Sequence, residues 1–228
     1  MTRSADGPLL RHAPAEIHGR YFVRPAASGG AAFWLVGFHG QGQTADTFMA
    51  SLERVPRGPH WLVASVQGLY RYYAGRARTI AANWMTSQDR EQVIADNVRW
   101  VDTVLDRLEQ EFGAPRGIVF AGFSQGVAMA YRAGLLCRRE CAAIVAGCGD
   151  VPPELEEGGT REWPRVLAAT GARDDWYTPA RLEADMAFLR SRRGDARALV
   201  FDGGHEWNDA LAEAVGVLLA GVERAADG

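Results

Sequence analysis

Apolar and polar positions follow two rhythms along this chain. Short apolar runs at 21–24, 33–38, 61–66, 117–121, 142–146, 165–170 and 197–201 have the length of strands. Several of them, such as Phe33-Trp34-Leu35-Val36-Gly37-Phe38 and Gly117-Ile118-Val119-Phe120-Ala121, are apolar throughout, as strands covered on both faces are. Between most of these runs the apolar spacing changes to three or four residues, at 44–52, 89–112, 124–136, 179–191 and 207–222, which predicts helices. In the second of these, Val93, Asn97, Trp100, Val101, Val104, Leu105 and Leu108 form one inward stripe. The alternation predicts an α/β fold with a mostly parallel central sheet of about seven strands and helices on both faces. The connection 147–164, with Val151-Pro152-Pro153 and Gly158-Gly159, is too short for a folded cap, so no sizeable lid domain and an open cleft are expected.

Composition narrows the class. With 228 residues, 47% hydrophobic and 23% charged, the chain suits one domain spanning 1–228, with a poorly structured segment at 1–16. The net charge of -3, with basic residues interleaved among acids, makes no case for nucleic acid or an anionic membrane as partner. All 25 basic residues are arginine. The N-terminus lacks the apolar core of an export signal and no stretch reaches membrane-spanning length, so a soluble cytoplasmic protein is the default expectation. Three cysteines, Cys137, Cys141 and Cys148, fit free thiols in a reducing compartment. Cys137 and Cys141 have the spacing to share a helix face, but no histidine lies close in sequence, and no metal or cofactor is expected.

The segment Gly122-Phe123-Ser124-Gln125-Gly126 joins a predicted buried strand to a predicted helix, the setting of a nucleophile elbow. A serine in that turn is pushed out of the backbone at a helix N-terminus, where unpaired N–H groups favour developing negative charge. Its hydroxyl needs a base. Of five histidines, His12 and His18 lie in the polar N-terminal region, and His60 in a Pro-Arg-Gly-Pro-His loop. His39 follows the strand 33–38, and His205 follows the run 197–201 and a Gly203-Gly204 break, where a late loop would carry a general base. The acid that orients the base must then lie between Ser124 and His205 in chain order. Asp174, in the loop after the run 165–170, is the first choice, with Asp175 and Asp150 as alternatives. Oxyanion donors are expected from the backbone N–H of Gln125 and, in the loop His39-Gly40-Gln41-Gly42, of Gln41.

With these motifs in this order, the chain resembles the α/β hydrolases, and among them the phospholipase/carboxylesterase group that includes acyl-protein thioesterases. Phe38-His39-Gly40-Gln41-Gly42, Gly122-Phe123-Ser124-Gln125-Gly126, Gly171-Ala172-Arg173-Asp174 and Gly203-Gly204-His205-Glu206 carry the likeness. The resemblance implies a cofactor-free hydrolase with Ser124, Asp174 and His205 as catalytic triad and Gln41 and Gln125 at the oxyanion hole. Val127 stands where the group usually has a second glycine, and Asp175-Trp176-Tyr177 replaces a short aliphatic stretch.

The expected substrate is a small-molecule ester or thioester, cleaved through an acyl-enzyme. A peptidase or amidase on the same residues is the catalytic alternative, and a non-catalytic ligand-binding protein on a hydrolase scaffold the alternative from another class. Tyr70, Tyr72, Trp84, Met85, Trp176, Tyr177 and Trp207 are candidate pocket walls. Arg71, Arg76 and Arg78 offer cations to a substrate anion, although a solvated loop is the ordinary setting for such residues. A homodimer is compatible with the sequence, which does not determine oligomeric state.

Overall fold

The computed structural model describes residues 8–29, 32–156, 162–192 and 195–228. Seven strands form the main sheet: β1 (Tyr21–Arg24), β2 (Phe33–Phe38), β3 (Trp61–Val66), β6 (Gly117–Phe123), β7 (Ala143–Gly147), β8 (Arg165–Gly171) and β9 (Ala196–Phe201). Their order is β1-β3-β2-β6-β7-β8-β9, parallel except for β1, which runs antiparallel to β3. A separate antiparallel hairpin is made of β4 (Tyr70–Ala74) and β5 (Thr79–Asn83). The helices are α1 (Ala45–Glu53), α2 (Arg90–Phe112), α3 (Gln125–Leu136), α4 (Pro153–Glu156), α5 (Pro179–Ser191) and α6 (Asp209–Asp227).

Two apolar clusters sit on opposite faces of the sheet, and strand pleating assigns residues to them with period two. Trp34, Val36 and Phe38 of β2 join Leu62, Ala64 and Val66 of β3 against α2, α3 and α5. Phe33 and Leu35, with Trp61 and Val63, join the other cluster, packed by α1 and α6. This two-sided burial is why β2 and β3 read as unbroken apolar runs. The stripe on α2 is buried at Asn97, Val101, Val104, Leu105 and Leu108. Val93 and Trp100 are half-buried.

Three expectations change. The region 67–87, where no strand is predicted, contains the β4–β5 hairpin, whose tip turns through positive φ at Gly75 and Arg78. Four of the five β4 residues are exposed, so the burial signal that marks the other strands is missing. Cys137 and Cys141 do not share a helix face, because α3 ends at Leu136 and Cys137 is its C-cap. The last helix starts at Asp209, with the Asn208 side chain accepting from the Leu211 N–H, rather than at Trp207.

Of the N-terminal segment, residues 8–16 are exposed and have no helix or strand, and 1–7 lie outside the described residues. The connection after β7 holds one helical turn, α4; Gly158 and Gly159 lie outside the described residues. Among the described residues no helix is long and apolar enough to cross a membrane.

Candidate active site

The loops that follow β2, β6, β7, β8 and β9 all lie at the carboxyl edge of the parallel strands, where open α/β sheets place their sites. Ser124 is the residue between β6 and α3. Its φ of 53° and ψ of -121° lie outside the regions L-residues favour, a conformation that typically costs about 1–3 kcal/mol. The turn is held by the Ser124 N–H donating to Gly147 O on the neighbouring strand at 2.9 Å. The two glycines of the motif are needed for space. A Cβ at Gly122 would stand 2.2 Å from Gly126 O, and one at Gly126 would stand 2.0 Å from Phe38 O. Helix α3 therefore seats directly on the ends of β2 and β6, with Ser124 at its N-cap.

Asp174 and His205 meet across the loops after β8 and β9. His205 Nδ1 donates to Asp174 Oδ2 at 2.8 Å. A carboxylate only accepts, so this bond places the proton of the neutral ring on Nδ1 and leaves the Nε2 lone pair available. The other carboxylate oxygen, Oδ1, accepts the backbone N–H groups of Trp176 at 2.8 Å and Tyr177 at 2.9 Å. Burial works to raise the Asp174 carboxyl, but the Tyr177 N–H, His205 and the Trp176 N–H outweigh it and hold it below the ordinary carboxylate range. The His205 ring packs 5.1 Å from the ring of Phe123, the residue directly before Ser124. The alternatives for the acid lie elsewhere: Asp175 is exposed, and Asp150 pairs with Arg181 at 2.6 Å.

The loop after β2 approaches the elbow from the other side. A Cβ on Gly40 would lie 3.3 Å from Ser124 Cβ, so this backbone passes beside the serine. The loop is braced by the Gly40 N–H donating to Gln43 Oε1 at 2.9 Å. The Gln41 N–H has no acceptor among the described residues. The Gln125 N–H opens α3 and has no intrahelical acceptor. His39 is fully buried with both ring nitrogens engaged: Nδ1 donates to Gly40 O at 2.7 Å, and Nε2 accepts the Gly68 N–H at 3.0 Å. Burial lowers its pKa and keeps it neutral. It shapes this loop.

The aromatic residues divide. Trp84, Tyr177 and Trp207, expected as pocket walls, are instead buried in the cores. The Trp84 indole N–H donates to His39 O at 2.8 Å, its ring lies tilted against that of His39 with centroids 5.1 Å apart, and its backbone N–H donates to Gln125 Oε1. The Tyr177 hydroxyl donates to Asp185 at 2.7 Å, and Trp207 packs edge-on against Phe48. Tyr70, Tyr72 and Trp176 are exposed, and Met85 is half-buried and lines a cavity next to α3.

Two features of the site had no signal in the sequence. The β4–β5 hairpin is tied to the loop after β2 by the Gly42 N–H donating to Ala82 O and the Ala82 N–H donating to Gln43 O. The Cys148 thiol lies with Asp174 and His205 in one cluster, the possible ligand atoms within 4.8 Å of one another. Burial pushes that thiol up to about 12, with the Asp174 charge adding to the rise, so it stays protonated, and Asp174 Oδ1 is already taken by two backbone N–H groups. Each depends on elements distant in sequence, so local spacing exposes neither.

Residues 33–161 match the family model described as Phospholipase/Carboxylesterase. No curated protein matches the chain. Among solved structures, esterase PE8 superposes with a TM-score of 0.72 at 23% identity, over 90% of this chain and 100% of that one. A phospholipase/carboxylesterase from Dyadobacter fermentans gives 0.67 at 19% identity, over 92% and 100%. Acyl-protein thioesterase 2 of Zea mays gives 0.70 at 17% identity, over 90% and 99%.

Proposed function

This chain belongs to the phospholipase/carboxylesterase family of α/β hydrolases, and from that premise we propose that it is a serine hydrolase cleaving carboxylic esters or thioesters through an acyl-enzyme. The observation that carries this reading is the Asp174–His205 hydrogen bond, set against Phe123, the last residue of the strand that leads into Ser124.

In this reading Ser124 Oγ attacks the substrate carbonyl while its proton passes to His205 Nε2. The imidazolium that forms is stabilised by Asp174, which stays ionised. The oxyanion of the tetrahedral intermediate accepts the N–H groups of Gln41 and Gln125, and the N-terminus of α3 adds favourable field. Collapse breaks the bond to the leaving group, and His205 returns the proton to the departing alcohol or thiol. Water, deprotonated by His205, then releases the acid and restores Ser124. The superposed proteins, an esterase, a phospholipase/carboxylesterase and an acyl-protein thioesterase, are named for chemistry of this kind.

A fluorophosphonate probe is expected to label the protein once, on Ser124. Ser124→Ala should abolish labelling and lower kcat/KM for p-nitrophenyl butyrate by at least about 10⁴-fold. Labelling or turnover that survives this substitution would refute the assignment.

A further inference from the structure

Beside the elbow lies a cavity of about 560 Å³ whose walls are joined to residues around Ser124. Ala128 and Arg132 line it, four and eight residues beyond Ser124 on one face of α3. A second wall is Met85, whose backbone carbonyl accepts the Gln125 side-chain amide at 3.2 Å. A third is Asp150, and a Cβ on the preceding Gly149 would stand 2.7 Å from Ser124 O. The helical rise from Ser124 to Arg132 is about 12 Å, and helix side chains lean towards the N-terminus, which brings the guanidinium closer to the serine than that.

The far end of this cavity is cationic. The Arg132 side chain is 2% exposed. Its Nε and one terminal nitrogen donate to the same oxygen of Glu154, at 2.8 and 2.7 Å, and the other terminal nitrogen faces the Met85 thioether at 3.3 Å, a weak acceptor. Of the five N–H donors of this guanidinium, two have no acceptor among the described residues. Arg90 takes the second oxygen of Glu154 at 2.7 Å, so a single carboxylate serves two arginines. Asp150, the other acid of the lining, is engaged by Arg181 at 2.6 Å. Arg90 and Arg132 thus share one carboxylate, and two donors of the buried Arg132 are left unspent in the wall. A plain alkyl chain in this space would cover those donors without replacing their hydrogen bonds with water, which is unfavourable. A carboxylate would satisfy them with charge-assisted bonds.

We propose that this cavity receives an anionic carboxylate carried by the substrate, so that the preferred esters or thioesters bear such a group at a distance from the scissile carbonyl. The proposal rests on the assignment of Ser124 as nucleophile. Two isosteric pairs test it and separate the two ends of a substrate. On the acyl side, the p-nitrophenyl monoester of adipic acid is compared with that of adipic acid monoamide. On the alcohol side, 4-carboxyphenyl butyrate is compared with 4-carbamoylphenyl butyrate. The Ser124→Ala protein serves as blank.

The expected result is a kcat/KM ratio of carboxylate to carboxamide of about tenfold or more in at least one pair. Arg90→Gln should lower that ratio. Glu154→Gln, which removes the internal competitor for the two guanidiniums, should raise it. A ratio below about tenfold in both pairs, with the carboxamides hydrolysed in a Ser124-dependent way, overturns the proposal and leaves the hydrolase reading standing. A larger ratio that both variants leave unchanged also overturns it, because the preference would then arise elsewhere. If none of the four esters is hydrolysed and the fluorophosphonate does not label, the hydrolase reading falls and takes this proposal with it.

Discussion

Asp174 combines burial with an almost complete set of hydrogen bonds: two backbone N–H groups on one oxygen and the imidazole on the other. Its carboxyl is held below the ordinary range, so its contribution to stability is fully present above the usual carboxylate pKa and is lost as pH falls through the lower, folded value. Urea unfolding followed from pH 7 down to pH 2 should therefore show a shallower acid loss for Asp174→Asn than for the wild type. The same substitution leaves the shape intact but changes the bond to His205, and kcat should fall by about 10³- to 10⁴-fold. An Asp175→Asn protein, altered only at an exposed position, should keep the activity of the wild type; a loss comparable to that of Asp174→Asn would reassign the acid. Sequence position alone left these two aspartates and Asp150 as competitors, because all three follow predicted strands or lie in the same loop. What separates them is the direction of one side chain, which depends on how the loop after β8 folds against the loop after β9.

Among the elements, α3 does most to place the chemistry. Its first turn rests on carbonyls of β2, and this contact tolerates only hydrogen at residue 126. Gly126→Ala is expected to destabilise the protein by about 2–3 kcal/mol, or to shift α3 enough to abolish fluorophosphonate labelling. Chemical denaturation together with labelling would detect either outcome, and a stable, fully labelled variant would show that the helix is not seated as described. The five longer helices and the seven sheet strands were legible because their apolar spacing is repeated over enough residues to stand out. The β4–β5 hairpin was not, since Tyr70, Tyr72 and Tyr73 are exposed and its pairing with the loop after β2 runs through backbone atoms. Trp84 misled for a related reason. An aromatic in a loop-like stretch near the site reads as a wall, yet its indole is spent on the His39 carbonyl beneath that wall.

Across the whole molecule, the carboxyl edge of one sheet gathers Ser124, the His39–Gly42 loop, Asp174 and His205 from segments up to 166 residues apart in the chain. The segment 8–16 adds little to this assembly. It is exposed, and its ion pair between His12 and Asp89 is a long 3.8 Å contact at the surface, of a kind that contributes at most about 1 kcal/mol. A protein lacking residues 1–16 should melt within a few degrees of the full chain and match it in fluorophosphonate labelling. A large drop in melting temperature would show that the segment belongs to the packed domain.

The order of motifs and the two-sided apolar runs were sufficient to establish the fold class, the elbow and the identity of the histidine and serine worth testing, because strand burial and tight turns are local demands written into consecutive residues. The contact that sets Asp174, the first choice, apart from Asp175 and Asp150 as partner of His205, the retreat of Trp84, Tyr177 and Trp207 into the cores, and the arginine-lined cavity came only from the folded chain. Each of them is a contact between side chains on separate loops or helices, and nothing in local spacing specifies which way such side chains turn once the sheet has brought them together.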